Sequence, residues 1–479
     1  MPDDLAALDA TAQAELVRRG DVTPRELVDA AIARLERLNP QLNAVIHPAL
    51  ERARAAAAAP LPDEPFRGVP FLMKDIGGSE AGAPYHCGMR FLRDAGWTER
   101  EDAYLTRRFR GAGLISLGRT NTPELALMPT TEPEAYGATR NPWNLAHSAG
   151  GSSGGSASAV AAGIVPAAHA SDGGGSIRGP ASMCGLVGLK PTRGRNSFGP
   201  SLGERWSGFS AEFVVTRSVR DAAALLDVTA GAMPGDPYTA PPPPRPFATA
   251  LASPPAALRV GILRGAPRQV DTHPECVAAV DRTARLLSDL GHRVEEAHPP
   301  ALDEPEHVLT YVAIVSANTA RAIEAWGQRV GRPAGEADME PLTWALAERG
   351  RGARATELLA AVESVHAFGR RLASWWEGGF DLLVTPTQAA LPPAIGYLRS
   401  TAAEPLLAFI RSAPYGACTL PFNMSGQPAI SLPLHWTPEG LPIGVQLAAA
   451  FGREDLLLAV SAELESAAPW SARRPPLHA

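Results

Sequence analysis

Two glycine-rich loops that contain serine are the stretches of this sequence best suited to chemistry. They lie at residues 150–156 (GGSSGGS) and 173–176 (GGGS). Runs of glycine let other groups approach the backbone closely, so serines inside them are candidates for hydroxyls cradled by amides. Gly/Ser-rich tracts are most often flexible linkers. Here the apolar flanks IVPAAHA and MCGLVGL favour buried core instead, and the sequence predicts two ordered loops.

Lysine is almost absent from the chain. Of 44 basic residues only Lys74 and Lys190 are lysines. Arginine keeps its proton in proteins, whereas a buried lysine can lower its pKa and act as a base. Lys74 ends the apolar run RGVPFLMKD, which predicts a buried strand with a polar group at its carboxyl end. The alternative is that Lys74 only forms an ion pair with the neighbouring Asp75.

The second loop combines a hydroxyl with several unhindered amides. Ser176 follows Gly173, Gly174 and Gly175 and precedes a predicted helix. Backbone amides at a helix N-terminus can converge on a developing negative charge, as the transition state of acyl transfer requires. Ser176 is therefore a candidate nucleophile, with the three glycine amides as its oxyanion hole.

Two other kinds of site fit the loops less well. A P-loop for nucleotides needs GxxxxGK followed by Ser or Thr, and no lysine lies in or just after either loop. The residues 150–154 do satisfy GxSxG, the nucleophile elbow of α/β-hydrolases, which also needs a late histidine. Only His435, in a strand-like run, and His478, in the C-terminal tail, could serve, so this alternative is weak but open.

Composition limits the class of protein. The chain has 479 residues, 45% of them hydrophobic and 20% charged, which suits one large α/β domain with insertions. A net charge of −6 gives no reason to expect nucleic acid as a partner. No signal peptide and no run of 18 apolar residues is visible, so we expect a cytoplasmic protein without a membrane partner. The four cysteines form no metal-binding motif, and we expect no metal or cofactor.

The elements around the loops read as one domain over 1–479. Residues 1–60 predict helices, one of which starts with a capping box at Thr23-Pro24-Arg25-Glu26 and ends at Asn39-Pro40. A catalytic core over 61–233 and a proline-rich connection over 234–257 lead to a βαβ unit. A helical insert with four tryptophans over 305–378 and a C-terminal part of the core over 379–479 complete the chain.

Six sequence motifs carry a family resemblance. They are GVPFLMKD, GRTNTPE, NPWN, GGSSGGSASAVAAG, SDGGGSIRGPASMCGLVGLKPTRG and NMSGQPAISLPL. With these motifs, which span most of its length, the chain resembles the amidase signature family of serine hydrolases. The resemblance implies an α/β fold with a large twisted mixed β-sheet covered by helices on both faces. It also implies hydrolysis of amide bonds through an acyl-enzyme, without a cofactor.

The resemblance assigns a role to each reactive residue. It implies a triad of Lys74, Ser152 and Ser176, in which the two serines are 24 positions apart and a cis peptide bond precedes Ser152. Neutral Lys74 would take a proton through Ser152 from Ser176 as Ser176 attacks the carbonyl. The backbone amides around residues 173–175 would bind the oxyanion.

Three further charged residues are expected to support the loops. Lys190, in GLKPT, is a family feature that we interpret as structural, with its amine satisfying loop carbonyls. Asp172 and Arg178 flank the proposed nucleophile, and we expect them to form a pair that holds its loop.

The substrate is expected to be a small molecule. Around the second loop the sequence looks closer to bacterial amidases that act on bulky or xenobiotic amides, such as cyclic-dimer hydrolases of nylon oligomers, aryl-acylamidases and urethanases. Carbamates and esters pass through the same tetrahedral oxyanion, so they are possible substrates too. Tyr136, Trp206 and Phe209 are candidates for the substrate pocket, although each could equally serve packing. A homodimer is compatible with the sequence.

Two other functions stay open. The A subunit of glutamyl-tRNA amidotransferase, a glutaminase, belongs to the same family, but Gly416 stands here where that subunit carries an acidic residue for the substrate amine. A catalytically silent binding module is disfavoured because all three triad positions are present.

Overall fold

The strands of the computed structural model, which describes residues 2–479, form one large sheet and one small one. They are β1 (Val45–Pro48), β2 (Pro70–Lys74), β3 (Ile115–Thr120), β4 (Arg140–Asn141), β5 (Asn144–Ser148), β6 (Ala167–Asp172), β7 (Val187–Lys190), β8 (Ala211–Thr216), β9 (Arg259–Ile262), β10 (Arg293–Glu296), β11 (Leu382–Pro386), β12 (Ala429–Trp436) and β13 (Pro442–Ala449). The large sheet has the order β1-β3-β2-β6-β8-β7-β12-β13-β11-β9-β10. It mixes parallel pairs, such as β2 with β6, and antiparallel pairs, such as β6 with β8, which confirms the predicted mixed sheet.

Helices form most of the connections between strands. They are α1 (Pro2–Ala7), α2 (Ala10–Arg19), α3 (Pro24–Leu42), α4 (Leu50–Ala58), α5 (Arg90–Asp94), α6 (Tyr104–Gly111), α7 (Gly154–Ala161), α8 (Arg178–Cys184), α9 (Val219–Thr229), α10 (Phe247–Ala250), α11 (Pro274–Asp289), α12 (Glu306–Val330), α13 (Pro341–Gly352), α14 (Ala355–Glu377), α15 (Leu407–Arg411), α16 (Ala413–Gly416), α17 (Leu420–Ser425) and α18 (Glu454–Ala467). Across residues 2–479, none of them combines the length and the apolar character that crossing a membrane requires.

Helices and loops cover both faces of the central strands. Every residue of β2, β6, β8 and β13 is buried. Successive side chains of a strand point to opposite faces, so complete burial means that both faces are covered. The edge strands β1 and β10 are partly exposed, as expected at the two ends of the sheet.

The N-terminal helix α3 starts as predicted but ends later. Thr23 and Glu26 form the capping box, with the Glu26 amide 3.2 Å from Thr23 Oγ1 and the Thr23 amide 2.8 Å from a Glu26 carboxylate oxygen. The predicted end at Asn39-Pro40 is wrong, because the helix continues to Leu42 with Pro40 inside it. Pro40 removes one N–H donor within the last turns. The Asn39 side chain stabilises the exit by accepting from the amides of residues 44 and 45.

The topology brings the two glycine loops to one edge of the sheet. Strands β2 and β6 are parallel neighbours, so Lys74 at the end of β2 and Asp172 at the end of β6 lie at the same edge. Helix α7 follows the first loop and α8 follows the second. Strand β9, which comes after the proline-rich connection, joins the same sheet beside β11, and β9 and β10 are parallel as a βαβ unit requires.

Candidate active site

The Lys74 amine is buried among three serine hydroxyls. Its Nζ lies 2.7 Å from Ser152 Oγ, 2.9 Å from Ser153 Oγ and 2.9 Å from Ser171 Oγ. Lys74 is 0% exposed, and burial, which disfavours the ammonium form, lowers its pKa from 10.5 to about 7. A substantial fraction of this amine is therefore uncharged at neutral pH and can accept a proton.

Asp75 is not the ion-pair partner of Lys74. Its carboxylate accepts hydrogen bonds from the backbone amides of His86 and Gly88 and lies 3.6 Å from the Arg119 guanidinium. The sequence alternative of a simple Lys74–Asp75 pair is therefore wrong. Asp75 instead holds the turn that follows β2, which leaves the amine of Lys74 to the serines.

The first glycine loop places Ser152 against Lys74. The peptide bond between Gly151 and Ser152 is cis, as the family resemblance implies. A Cβ atom at Gly151 would lie 2.4 Å from the backbone of Thr130, so no larger residue fits this position. Ser152 is 1% exposed and, with Ser171, forms part of the wall of a cavity.

The second loop carries Ser176 at the start of α8. Ser176 is partly exposed, and within residues 2–479 its hydroxyl makes no hydrogen bond to another residue. The two loops lie close together, since a Cβ at Gly150 would come within 2.8 Å of Pro180 in α8. The structure thus brings Lys74 and Ser152 into hydrogen-bonding contact and leaves the Ser176 hydroxyl without a partner among the described residues.

The Asp172–Arg178 pair holds the second loop, as predicted. Arg178 Nε and one terminal nitrogen lie 2.9 Å from the two carboxylate oxygens of Asp172, and both side chains are fully buried. Arg178 also donates to Asn423 at 2.6 Å and to Gln446 at 2.8 Å, so the pair ties the loop to α17 and β13. Burial raises the pKa of Asp172, but the charge of Arg178 outweighs it and lowers the pKa overall, so the carboxylate stays ionised.

Only some of the backbone N–H groups of the second loop already donate a hydrogen bond. The Gly175 amide donates to Asp172 at 2.7 Å, so its prediction as an oxyanion donor is wrong here: the carboxylate that holds the loop takes this N–H. Among the described residues, the amides of Gly173, Gly174 and Ser176 have no acceptor. Thr419 Oγ1 donates to the Gly174 carbonyl at 2.6 Å and fixes the direction of that peptide.

A cavity of about 450 Å³ opens onto Ser152 and Ser171, and Ser176 is not among the residues of its wall. Ser152, Ser171 and Gly173 form part of its wall, next to charged residues that include Arg205 and Glu212. Much of the remaining wall is apolar and comes from several segments: Tyr85, Leu125, Leu127, Phe198, Trp206 and Trp326. The helical insert therefore contributes to the site, because Trp326 belongs to α12. A molecule with an apolar body and a central polar bond fits such a cavity.

Of the three predicted pocket residues, only Trp206 lines the cavity. Phe209 is 1% exposed and stacks on Tyr311 with ring centroids 5.8 Å apart, so it packs behind the wall. Tyr136 lies elsewhere, beside Asp75: its hydroxyl bonds His86, and its ring meets His47 at 5.3 Å. The predictions for Phe209 and Tyr136 are therefore wrong, because the folded chain uses both rings for packing.

Sequence reasoning missed Tyr311 and Ser171. Tyr311, on α12, closes over the second loop, since a Cβ at Gly174 would lie 2.9 Å from its hydroxyl. Ser171 follows an apolar strand and is one residue before Asp172. The parallel pairing of β2 with β6 was the available signal for Ser171, because it sets the end of β6 beside Lys74. Nothing in the sequence pointed to Tyr311.

The remaining residues considered in the sequence, Lys190, His435 and His478, form hydrogen bonds away from Lys74 and Ser152. Lys190 Nζ donates to the Pro191 carbonyl at 2.9 Å, which fits the structural role expected for it. His435 pairs with Glu275 at 2.8 Å, and His478 bonds the carbonyl of the next residue. Neither histidine contacts Ser152, so the α/β-hydrolase alternative fails for lack of a base.

Comparison with known proteins finds a family model and relatives that match nearly the whole chain. A family model described as Amidase matches residues 26–458 of the chain. The chain is 46% identical to the 6-aminohexanoate-cyclic-dimer hydrolase of Paenarthrobacter ureafaciens over 477 residues, which are 98% of this chain and 96% of that protein. The similarity thus extends over nearly the whole length of both chains.

Solved structures agree with the sequence match. A structure of 6-aminohexanoate cyclic dimer hydrolase complexed with substrate superposes with a TM-score of 0.96 and 46% identity, covering 98% of this chain and 99% of the other. A bacterial aryl acylamidase of the amidase signature enzymes superposes with a TM-score of 0.86 and 29% identity, covering 97% of each chain. The predicted fold is confirmed by both.

Proposed function

The chain belongs to the amidase signature family and hydrolyses amide bonds, and from this premise we propose that Lys74, Ser152 and Ser176 are its catalytic triad. The observation that carries the proposal is the 2.7 Å hydrogen bond between Lys74 Nζ and Ser152 Oγ. A buried amine with a pKa of about 7 is a suitable base near neutral pH. In this proposal Ser152 relays the proton between that base and Ser176, whose side chain is partly exposed.

The proposed reaction runs through an acyl-enzyme. Lys74 takes the proton of Ser152 as Ser152 takes the proton of Ser176, and the Ser176 oxygen forms a bond to the amide carbonyl carbon. Collapse of the tetrahedral intermediate breaks the C–N bond, and the proton returns through Ser152 to the leaving amine. Water then attacks the ester, giving its proton to Lys74 along the same path. Breaking the ester bond releases the acid, and the proton returns to Ser176.

The oxyanion would be held by backbone amides of the second loop. The amides of Gly173, Gly174 and Ser176 have no acceptor among the described residues, whereas that of Gly175 is occupied. Loss of one oxyanion donor typically costs about 3 kcal/mol in transition-state stabilisation. We therefore assign the oxyanion hole to the three unoccupied amides rather than to the three glycines.

A bulky amide with apolar arms is the substrate class that we propose. The relative that is 46% identical is named a hydrolase of the cyclic dimer of 6-aminohexanoate. The cavity of about 450 Å³, with two tryptophans in its wall, has room for a substrate of that kind. Cyclic or linear amides of ω-amino acids and aryl amides fit this description. Carbamates and esters share the oxyanion step and are included as further substrates.

A substrate panel tests the class. The purified protein is offered 6-aminohexanoate cyclic dimer, an acyl p-nitroanilide, an aryl carbamate and glutamine. We expect turnover of the cyclic diamide and the anilide and none of glutamine, because Gly416 brings no carboxylate to the site to bind an α-ammonium group. Release of ammonia from glutamine, with the bulky amides untouched, would contradict the proposal and favour the glutaminase alternative.

Variants of the triad test the chemistry separately from the substrate. Ser176→Ala should lower turnover by about 10⁴-fold or more and abolish labelling by a fluorophosphonate probe. Lys74→Arg should be as damaging as Lys74→Ala, because the charge is kept but the base is lost. Ser79→Ala is the matched control, since Ser79 lines the cavity but bonds the carbonyl of Glu101. Near-normal turnover in either triad variant would refute the assignment.

A reducing compartment, the cytoplasm, is part of the proposal. Its support is that Cys87, Cys184, Cys276 and Cys418 are all buried and free. Free thiols are typical of proteins in reducing compartments, whereas secreted proteins tend to form disulfides. Fractionation of the source cells, with the activity followed in each fraction, tests this point.

A further inference from the structure

A buried carboxylate stands beside the proposed base and has no part in the proton path. Glu212 on β8 is paired directly with Ser171 on β6, and Ser171 Oγ lies 2.9 Å from Lys74 Nζ. The Glu212 side chain is only 5% exposed, and it contributes to the wall of the same cavity as Ser152. Three adjacent strands thus place a lysine, a serine and a glutamate side by side.

We propose that Glu212 is a positioning residue whose negative charge keeps the Lys74 amine basic enough to accept the proton, and that Arg205, which lines the same cavity as Glu212, opposes this effect. The inference rests on the proposed role of Lys74 as the base. Burial alone weakens an amine as a base, because it disfavours the charged form. A base that is too weak transfers protons poorly, since catalysis is most efficient when its pKa lies near the working pH. A nearby carboxylate offsets part of the basicity that burial removes.

The turn that follows Lys74 is built around the Glu212 carboxylate. The Gly78 amide donates to Oε2 at 3.2 Å, and His169 Nε2 lies 3.4 Å from the same oxygen. A Cβ atom at Gly77 would come within 2.2 Å of Oε1, so the turn accepts only glycine there. This close approach fixes the carboxylate in position relative to the end of β2.

Glu212 is charged at neutral pH. Burial raises the pKa of this carboxyl group, but His169, Arg205 and the Gly78 amide outweigh it, and the pKa is lowered overall. His169 itself is neutral, because burial lowers its pKa. Its Nδ1 accepts from the Lys74 backbone amide at 3.4 Å, which leaves the ring proton on Nε2, facing Glu212.

Other titratable groups surround the amine from several elements. They are Asp172 and His169 on β6, Arg205 before β8, Cys87 in the loop after β2, and Asp75 with Arg119 behind the turn. Among the charges acting on the pKa of Lys74, Glu212 raises it most and Arg205 lowers it most. Asp172 has a smaller effect in the same direction as Glu212. The charge balance at Lys74 is therefore set mainly by Glu212 and Arg205.

The scarcity of lysine makes a direct test practical. Protein grown with [ε-¹³C]lysine gives only two labelled side chains, Lys74 and Lys190, and the ¹³C shift of each follows its own protonation. Glu212→Gln keeps the shape and removes the charge, so it should lower the pKa of Lys74 by about one unit. The acidic limb of kcat/KM should move down by the same amount, and the plateau of kcat should fall because the base is weaker. Arg205→Met should move the pKa of Lys74 and the acidic limb upward.

A control at the second lysine distinguishes a local effect of charge on Lys74 from a general loss of stability. Burial lowers the pKa of Lys190 overall, and Glu454, which is buried and pairs with Arg195 at 2.9 Å, is one of the carboxylates that raise it. Glu454→Gln should therefore move the Lys190 signal and leave the pKa of Lys74 unchanged. A structural role for Glu212 would lower stability without producing this selectivity.

The two measurements separate the inference from the function on which it rests. If the pKa of Lys74 stays the same in both Glu212→Gln and Arg205→Met, the inference is overturned. If the pKa of Lys74 moves in opposite directions in the two variants and the pH–rate profile follows, the inference is supported. If the pKa moves but the profile does not, Glu212 does control the charge of Lys74, and the role of Lys74 as the base is refuted.

Discussion

Replacing Lys74 by methionine tests the buried amine through stability instead of rate. The pKa of Lys74 is 10.5 in an ordinary setting and about 7 in the fold, where burial disfavours its charge. Between these two values the unfolded chain binds a proton that the folded protein does not. The contribution of Lys74 to the free energy of unfolding therefore rises with pH up to about 10.5, and it is least favourable once the pH has fallen to about 7.

The magnitude follows from the shift. At pH 7.5, keeping the amine neutral costs the wild type about 4 kcal/mol. Its contacts with the three serine hydroxyls return about 1 kcal/mol each. Methionine has a similar length and no charge, so Lys74→Met should be about 1 kcal/mol more stable than the wild type at pH 7.5, although turnover is lost. Between pH 7 and pH 10 the difference should change by about 3 to 4 kcal/mol in favour of the wild type.

Urea unfolding at pH 7, 8, 9 and 10 measures this difference, because the other titrating groups are common to both proteins and cancel. Ser176→Ala is the control: it should be equally inactive, yet its difference from the wild type should not vary with pH. A constant difference between the wild type and Lys74→Met over this range would refute a lowered pKa for Lys74, and with it the proposed base.

Three further changes probe the loops and the cavity. Asp172→Asn leaves the buried guanidinium of Arg178 without its carboxylate and should cost about 3 to 5 kcal/mol in urea unfolding; a loss below 1 kcal/mol would show that the pair does not hold the loop. Gly151→Ala should cost about 2 kcal/mol and most of the activity because its Cβ meets the backbone of Thr130, and an unchanged melting temperature would contradict that contact. Trp326→Ala should raise KM for a bulky amide about tenfold and leave a small anilide unaffected; equal effects on both substrates would remove this ring from the binding wall.

The residues that react were easier to predict than those that surround them. Lys74 and Ser152 lie in contiguous motifs, and the local rules for a strand end and a glycine loop already indicate a polar group held by backbone. The family resemblance placed Lys74 and Ser152 in one site although they are 78 positions apart, and the structure shows the contact between them. The positions of several strands followed from apolar runs bounded by turn residues, whereas the mixed sheet itself was implied by the family resemblance.

The surroundings depend on contacts between segments far apart in the chain. Tyr311 is 137 residues after Gly174, and a tyrosine on an amphipathic helix gives no sign of what it covers. Tyr136 lies near the first loop in sequence, yet its ring is taken up by a histidine cluster. The Gly175 amide could not be excluded beforehand, since its acceptor depends on how the Asp172 side chain turns. Sequence patterns indicate the chemistry of a residue but not which other residues contact it in the fold.

The long reach of Arg178 has a consequence for synthesis on the ribosome. This residue holds the second glycine loop, and two of its partners, Asn423 and Gln446, lie more than 240 positions further along the chain. A nascent polypeptide that has produced all three side chains of the proposed triad by position 176 still lacks the groups that fix this loop. The hydrolase therefore becomes competent only when nearly its whole length has emerged, and prematurely terminated chains should carry the motif without the activity.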